Sequence, residues 1–130
     1  MIGKIYIFDP QIYPLRIWVS IKPDIETLKG RFDVIDDDNE TILPFTDDTI
    51  KSYWGAARIT VREKSTRLCG CLIVIMVPKE CTVGTIAHEA CHAYDDFVGL
   101  LDLPVGGETR AYLTEWIVDR AWEVKTGKVK

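Results

Sequence analysis

The sequence predicts an α+β fold in a single domain spanning residues 1–130. The predicted strands all lie within the first 77 residues, whereas helical periodicity dominates from about residue 82 onward. A chain of 130 residues with 47% hydrophobic content can bury one modest core, and no repeat or linker divides it. We therefore expect a small mixed or antiparallel sheet packed on two C-terminal helices.

The N-terminal third contains two predicted strands and a short helix. The strands, which alternate well enough for this assignment, are Lys4–Phe8 and Leu15–Ile21. Pro23 at a first helical position, followed by acidic residues, indicates a helix that continues to about Lys29 and ends at Gly30. The acidic segment 33–48 lacks the central glycine of an EF-hand calcium loop, so we expect an irregular, solvated loop.

A hairpin is predicted in the middle of the chain. Ala57–Glu63 alternates between apolar and polar residues, and Leu68–Val77, after a short turn, is apolar on both faces. This contrast indicates that the second strand is interior and that Ala57–Glu63 lies toward an edge of the sheet. An exposed edge can bind an extended peptide as an added strand, although a polar strand face is equally explained by solvation.

Both histidines of the chain lie in one pentad, His88-Glu89-Ala90-Cys91-His92. On a helix, the first and last residues of this H-E-x-x-H pattern are one turn apart on the same face. Two imidazoles at that spacing can bind one zinc ion, and the glutamate can act on a zinc-bound water. The alternative is a pair of ordinary surface or core histidines without a ligand.

Thr82 can cap the helix that contains the pentad, and helical periodicity then separates an apolar face from a polar one. The apolar residues that would pack against a sheet are Ile86, Ala87, Ala90, Ala93, Tyr94 and Phe97. His88, Glu89 and His92 fall on the opposite side. Asp95 and Asp96 share this polar side, and we expect them to accept hydrogen bonds from the imidazoles rather than to bind the ion.

A zinc site that keeps one position open for water needs a third protein ligand. Glu108 is the first candidate, because Gly106 and Gly107 allow a sharp turn and a helix N-terminus favours an ionised carboxylate. The helix that Glu108 opens is expected to run to about Lys125, with a buried side formed by Leu113, Ile117, Ala121 and Val124. Glu115, further along that helix, is the second candidate, and Glu108 is also explained as an ordinary N-terminal helix acid.

The pentad, followed by Glu108-Thr109-Arg110-Ala111-Tyr112, resembles the gluzincins, zinc metallopeptidases with an H-E-x-x-H helix and a glutamate ligand on a second helix. The E-x-x-A-Y segment and the short chain are similar to small metallopeptidase-like proteins of phages and prophages. The resemblance covers residues 56 to about 125. It implies a zincin-like fold, Zn²⁺ bound by His88, His92 and Glu108, and Glu89 as the general base.

Together these features predict a zinc-dependent peptide-bond hydrolase whose peptide or protein substrate binds along the strand 57–63. Tyr112 is a further candidate, as a hydrogen-bond donor to the developing oxyanion. Two alternatives remain open. One is a non-enzymatic zinc-binding interaction or regulatory protein that retains the metal site, and the other is a metal-dependent amide hydrolase that acts on cell-wall material.

Composition and charge exclude several other classes of protein. The net charge of −4 and the dispersed lysines and arginines argue against a nucleic-acid-binding surface. The longest apolar run is about half a membrane span, and the N-terminal one is too short for a signal sequence. We therefore expect no membrane partner and a cytoplasmic location. The four cysteines form no C-x-x-C motif, which indicates reduced, partly buried thiols.

Overall fold

The computed structural model describes residues 2–50 and 55–129, and within these ranges the chain folds into one six-stranded sheet and three α-helices. The strands are β1 (Ile5–Phe8), β2 (Leu15–Ile21), β3 (Phe32–Ile35), β4 (Ile42–Pro44), β5 (Ala56–Glu63) and β6 (Cys69–Ile75). The helices are α1 (Ile25–Arg31), α2 (Val83–Leu101) and α3 (Gly107–Thr126). The predicted α+β class is confirmed. No helix within the described residues combines the length and the apolar character needed to cross a membrane.

The sheet is mixed, with the strand order β1-β2-β6-β5-β3-β4. β2 and β6 pair in parallel from Leu15 opposite Cys69 to Ile21 opposite Ile75, and the other pairs are antiparallel. β6 therefore lies between β2 and β5. The interior position predicted for the apolar strand is confirmed.

The edge position predicted for the strand 57–63 is wrong, because β5 lies inside the sheet. It pairs with β6 along its length and with β3 at its C-terminal end, where Phe32 faces Glu63 and Val34 faces Val61. The segment expected to be an irregular loop supplies the covering strands, β3 and β4. Each strand is only three or four residues long, and β3 itself contains Asp33, so neither stands out among the acidic residues. The residues between them, 36–40, form an exposed turn.

The start and end of α1 also differ from the prediction. Asp24 caps the helix by accepting a hydrogen bond from the Thr27 backbone N–H at 3.0 Å, so Pro23 precedes the cap. Gly30 lies within the last turn instead of ending the helix. A glycine lowers the stability of a helix only slightly at an exposed end, and the helix continues through Gly30 to Arg31.

The sheet buries both of its faces. One face packs on α1 through a cluster of large side chains that includes Trp18, Leu28, Phe32 and Leu72. The opposite face packs on α2 and α3 through Ile17, Val19, Ile73 and other apolar residues of the central strands. The stripe predicted on α2 is buried except for Ala87, which is partly exposed, and the apolar side of α3 is buried as expected. The two C-terminal helices thus cover the same face of the sheet.

Gly70 allows the parallel strands β2 and β6 to approach each other, which generates a stability prediction. A Cβ atom at Gly70 would lie 1.8 Å from the Arg16 carbonyl oxygen. Replacing Gly70 with alanine must displace a central strand, so Gly70→Ala should lower the free energy of unfolding by about 3 kcal/mol in urea denaturation. The control is Gly30→Ala, which meets no atom within 4 Å and should stabilise α1 by up to about 1 kcal/mol. Equal stability of the two variants would contradict this packing.

Candidate metal centre

α2 begins at a capping box formed by two threonines. The Thr85 backbone N–H donates to Thr82 Oγ1 at 3.1 Å, and the Thr82 N–H donates to Thr85 Oγ1 at 3.3 Å. The predicted cap at Thr82 is confirmed. The box starts the helix one and a half turns before the pentad, so that the pentad lies entirely within regular α-helix.

The two imidazoles lie side by side on the outer face of α2. The ring centroids of His88 and His92 are 4.8 Å apart, and the ring planes are inclined at 74°. Both residues are exposed, whereas Ala90 between them is completely buried against the sheet. The shared face expected from the four-residue spacing is therefore present, and it is open to solvent.

The two flanks of α2 beside the histidines face different neighbours. On the flank toward β5, the Arg58 guanidinium donates to Asp96 at 2.7 Å, and the Cys71 thiol donates to the same carboxylate at 3.3 Å. On the flank toward α3, Arg110 donates to Asp95 at 2.8 Å. Both aspartates thus pair with arginines, instead of accepting from the imidazoles as we expected. Helical geometry places Glu89 on the β5 flank, a turn or two before Asp96.

α3 packs antiparallel to α2 in a register that the Arg110–Asp95 ion pair defines. Because the helices are antiparallel, the residue of α3 that lies level with His92 is about three residues after Arg110. A groove of about 460 Å³ runs between the two helices, and Cys91, Glu115 and Asp119 are among the residues that line it. The carboxylates nearest to the level of the pentad are therefore those of Glu115 and Asp119.

Glu108 lies at the exposed start of α3 and lines a different cavity, on the side of α3 away from this groove. Tyr112 lines the same cavity as Glu108. Within residues 2–50 and 55–129, no three His, Cys, Asp or Glu side chains are grouped closely enough to bind a metal ion. The structure thus brings together His88 and His92 but not Glu108, and the assignment of Glu108 as a ligand stays a prediction.

Arg58 was not identified from the sequence as part of this region. β5 alternates between apolar and polar residues, and solvation was one explanation for its polar face. In the structure that face lies under α2. The Arg58 side chain is about one quarter exposed, and its Nε has no hydrogen-bond partner among the described atoms. The available signal was the position of Arg58 on a strand that pairs with a wholly apolar strand. A strand next to an interior strand is itself covered on both faces, so a polar residue on it needs a buried partner.

The cysteines around the pentad differ strongly in environment. Burial raises the pKa of the Cys71 thiol well above its ordinary value, and the Asp96 carboxylate raises it further. Burial also raises the pKa of Cys81, which is almost inaccessible. Cys91 is exposed in the groove between α2 and α3. The free thiols expected from the sequence are present, and Cys91 is the exposed one.

Comparison with protein-family models, with curated proteins and with solved structures finds no match to this chain. The resemblance to the gluzincins accordingly rests on the pentad and on the segment that begins at Glu108.

These environments predict selective thiol chemistry. Cys91 should react first with a disulfide reagent at pH 8, in a fast phase of about one thiol per chain, because reactivity requires an accessible thiolate. Cys91→Ser should remove this phase, and the control Cys71→Ser should leave it unchanged. Rapid modification of Cys71 in the folded protein, read by mass spectrometry of peptides, would contradict the described burial.

Proposed function

We propose that this protein is a zinc-dependent peptide-bond hydrolase with a small zincin-like fold. The observation that carries the proposal is the pair of exposed imidazoles 4.8 Å apart on the outer face of α2, with Glu89 next to the first of them. Nitrogen donors one helical turn apart are a common zinc-binding arrangement, and an adjacent glutamate supplies a base. An ordinary pair of surface histidines does not account for the glutamate or for the carboxylates across the groove.

A zinc site would need a third ligand from α3, because no third His, Cys, Asp or Glu of the described residues is grouped with the histidine pair. His88 and His92 would hold the ion with a carboxylate, which completes the three protein ligands typical of a catalytic site. The helix register favours Glu115 over Glu108, because Glu115 lines the groove beside the pentad and Glu108 lines another cavity. When bound, zinc would supply Lewis acidity that activates water and polarises a carbonyl group.

Glu89 is the residue of this chain that would move protons. It is partly buried on the β5 flank of α2 and forms no ion pair with any residue that the structure describes. An unpaired carboxylate can accept a proton from the attacking water and then donate it to the leaving amine. Asp96 on the same flank is held by Arg58 and is therefore not available for this role.

The substrate would be an extended peptide that binds along the first half of β5. The pairing of β5 with β3 stops at Val61, so residues 56–60 pair in the described structure only with β6. This half of the strand runs beside the flank of α2 that carries Glu89. Backbone hydrogen bonds to an extended peptide at such a half-edge would give affinity with little side-chain selectivity.

The metal proposal predicts which side chains zinc binding requires. Purified without chelators, the protein should hold about one zinc ion per chain, and His88→Ala or His92→Ala should remove it, because the remaining ligands bind zinc poorly. Of the matched pair Glu115→Gln and Glu108→Gln, the first should weaken zinc binding and the second should leave it unchanged. The measurement is elemental analysis together with competition against a fluorescent chelator.

The reverse result for the matched pair would restore Glu108 as the third ligand. Full zinc content in both histidine variants would refute the metal site.

The catalytic proposal predicts a separation between metal binding and turnover. Glu89→Gln should retain zinc but lower the cleavage rate of a diverse library of unstructured peptides by at least about 100-fold, because it removes the general base. Asp102→Asn, at the exposed C-terminal cap of the same helix, is the control and should stay active. A zinc-loaded wild-type protein that cleaves no peptide would favour the non-enzymatic interaction protein, whereas cleavage of cell-wall amides alone would identify the other hydrolase.

A further inference from the structure

A second cavity lies on the opposite side of α3 from the pentad. It measures about 350 Å³ and is enclosed by the β1–β2 connection and the outer flank of α3. The residues that line it are Pro10, Ile12, Tyr13, Glu108, Thr109, Tyr112, Leu113 and Trp116. Its volume is within the range of small-molecule sites, and the hydrolase proposed above has no use for it.

Three aromatic residues, Tyr13, Tyr112 and Trp116, line this cavity. Tyr112 is 68% exposed and Ile12 is 77% exposed, although both are large and largely apolar. Residues of this kind gathered around a cavity indicate a binding surface more strongly than scattered ones do. Aromatic rings attract cations through the negative faces of their π systems.

Glu108 is the only charged side chain among the described residues that line the cavity, and it has no ion-pair or hydrogen-bond partner in the described structure. Asp9 on the β1–β2 connection is neutralised by Arg16 of β2, whose guanidinium lies 3.2 Å from its carboxylate. Arg120 lies against the Trp116 ring at 6.0 Å but is bonded to Glu123. The cavity therefore keeps a net negative charge beside its aromatic rings.

We propose that this cavity binds a small organic cation, an alkylated ammonium compound, with its charged group between the aromatic rings and Glu108. Aromatic residues together with a carboxylate favour a weakly hydrated cation that has apolar substituents. A metal ion would lack ligands here, because Glu108 supplies the only carboxylate. A neutral apolar compound would leave the Glu108 charge without a partner while covering it from water.

The experiment is a calorimetric titration of the full chain with choline and with its neutral isostere 3,3-dimethylbutan-1-ol. Choline should bind with a dissociation constant below about 1 mM, and the isostere at least about tenfold more weakly. Glu108→Gln should weaken choline binding roughly tenfold, because it removes the charge and keeps the shape. Tyr112→Ala, at an exposed position, should also weaken it without unfolding the chain.

Glu115→Gln is the matched control, since it removes a carboxylate of the same helix outside the cavity and should leave choline binding unchanged. Equal binding of choline and its isostere would overturn the cation assignment, as would unaltered binding by Glu108→Gln. Absence of choline binding by the wild-type chain, or binding only of a trimethyllysine peptide, would overturn the assignment to a small molecule. None of these titrations depends on zinc or on peptide cleavage, so the cation site can fail while the hydrolase stands.

Discussion

The packing of α2 against the central strands is the constraint on which the rest of the molecule depends. Ile86, Ala90 and Phe97 are completely buried on the sheet, which fixes the rotation of the helix about its own axis. The small Ala90 lets the helix backbone approach β6 and β5 closely. Because this rotation is fixed, the side chains of His88 and His92 point outward, away from the sheet. The exposure of the imidazole pair is therefore a consequence of core packing and needs no interaction of its own.

A second level of organisation comes from the contact between α2 and α3. The Tyr94 hydroxyl donates to the Pro104 carbonyl, and the Arg110 guanidinium lies over the Tyr94 ring as well as on Asp95. These contacts join the end of α2, the connecting loop and the first turn of α3. They decide which residues of α3 lie level with the pentad: Glu115 lies near that level, whereas Glu108 lies about two turns closer to the start of the helix. The contacts at this helix corner thus decide which carboxylate of α3 is level with the histidines.

Sequence reasoning succeeded where the signal is local. The buried stripes of α2 and α3, the Thr82 cap and the interior position of β6 follow from periodicity and from capping chemistry within one element. It failed where the answer depends on a distant segment. The edge or interior position of β5 is decided by β3, more than twenty residues earlier, and β3 has too few apolar residues to be recognised. The position of Glu108 depends on an interhelical register that no periodicity encodes.

The parallel pairing of β2 with β6 has a consequence for the order in which the chain folds. Leu15 pairs with Cys69, which lies 54 residues later in the chain, whereas β5 and β6 are joined by a turn of a few residues. The β5–β6 hairpin closes a short loop, but the docking of β2 must close a long one at a greater loss of chain entropy. During synthesis β1 and β2 emerge first and have no completed sheet to join. We therefore expect β1 and β2 to dock on β6 only after the central hairpin has formed, although both strands are made before it.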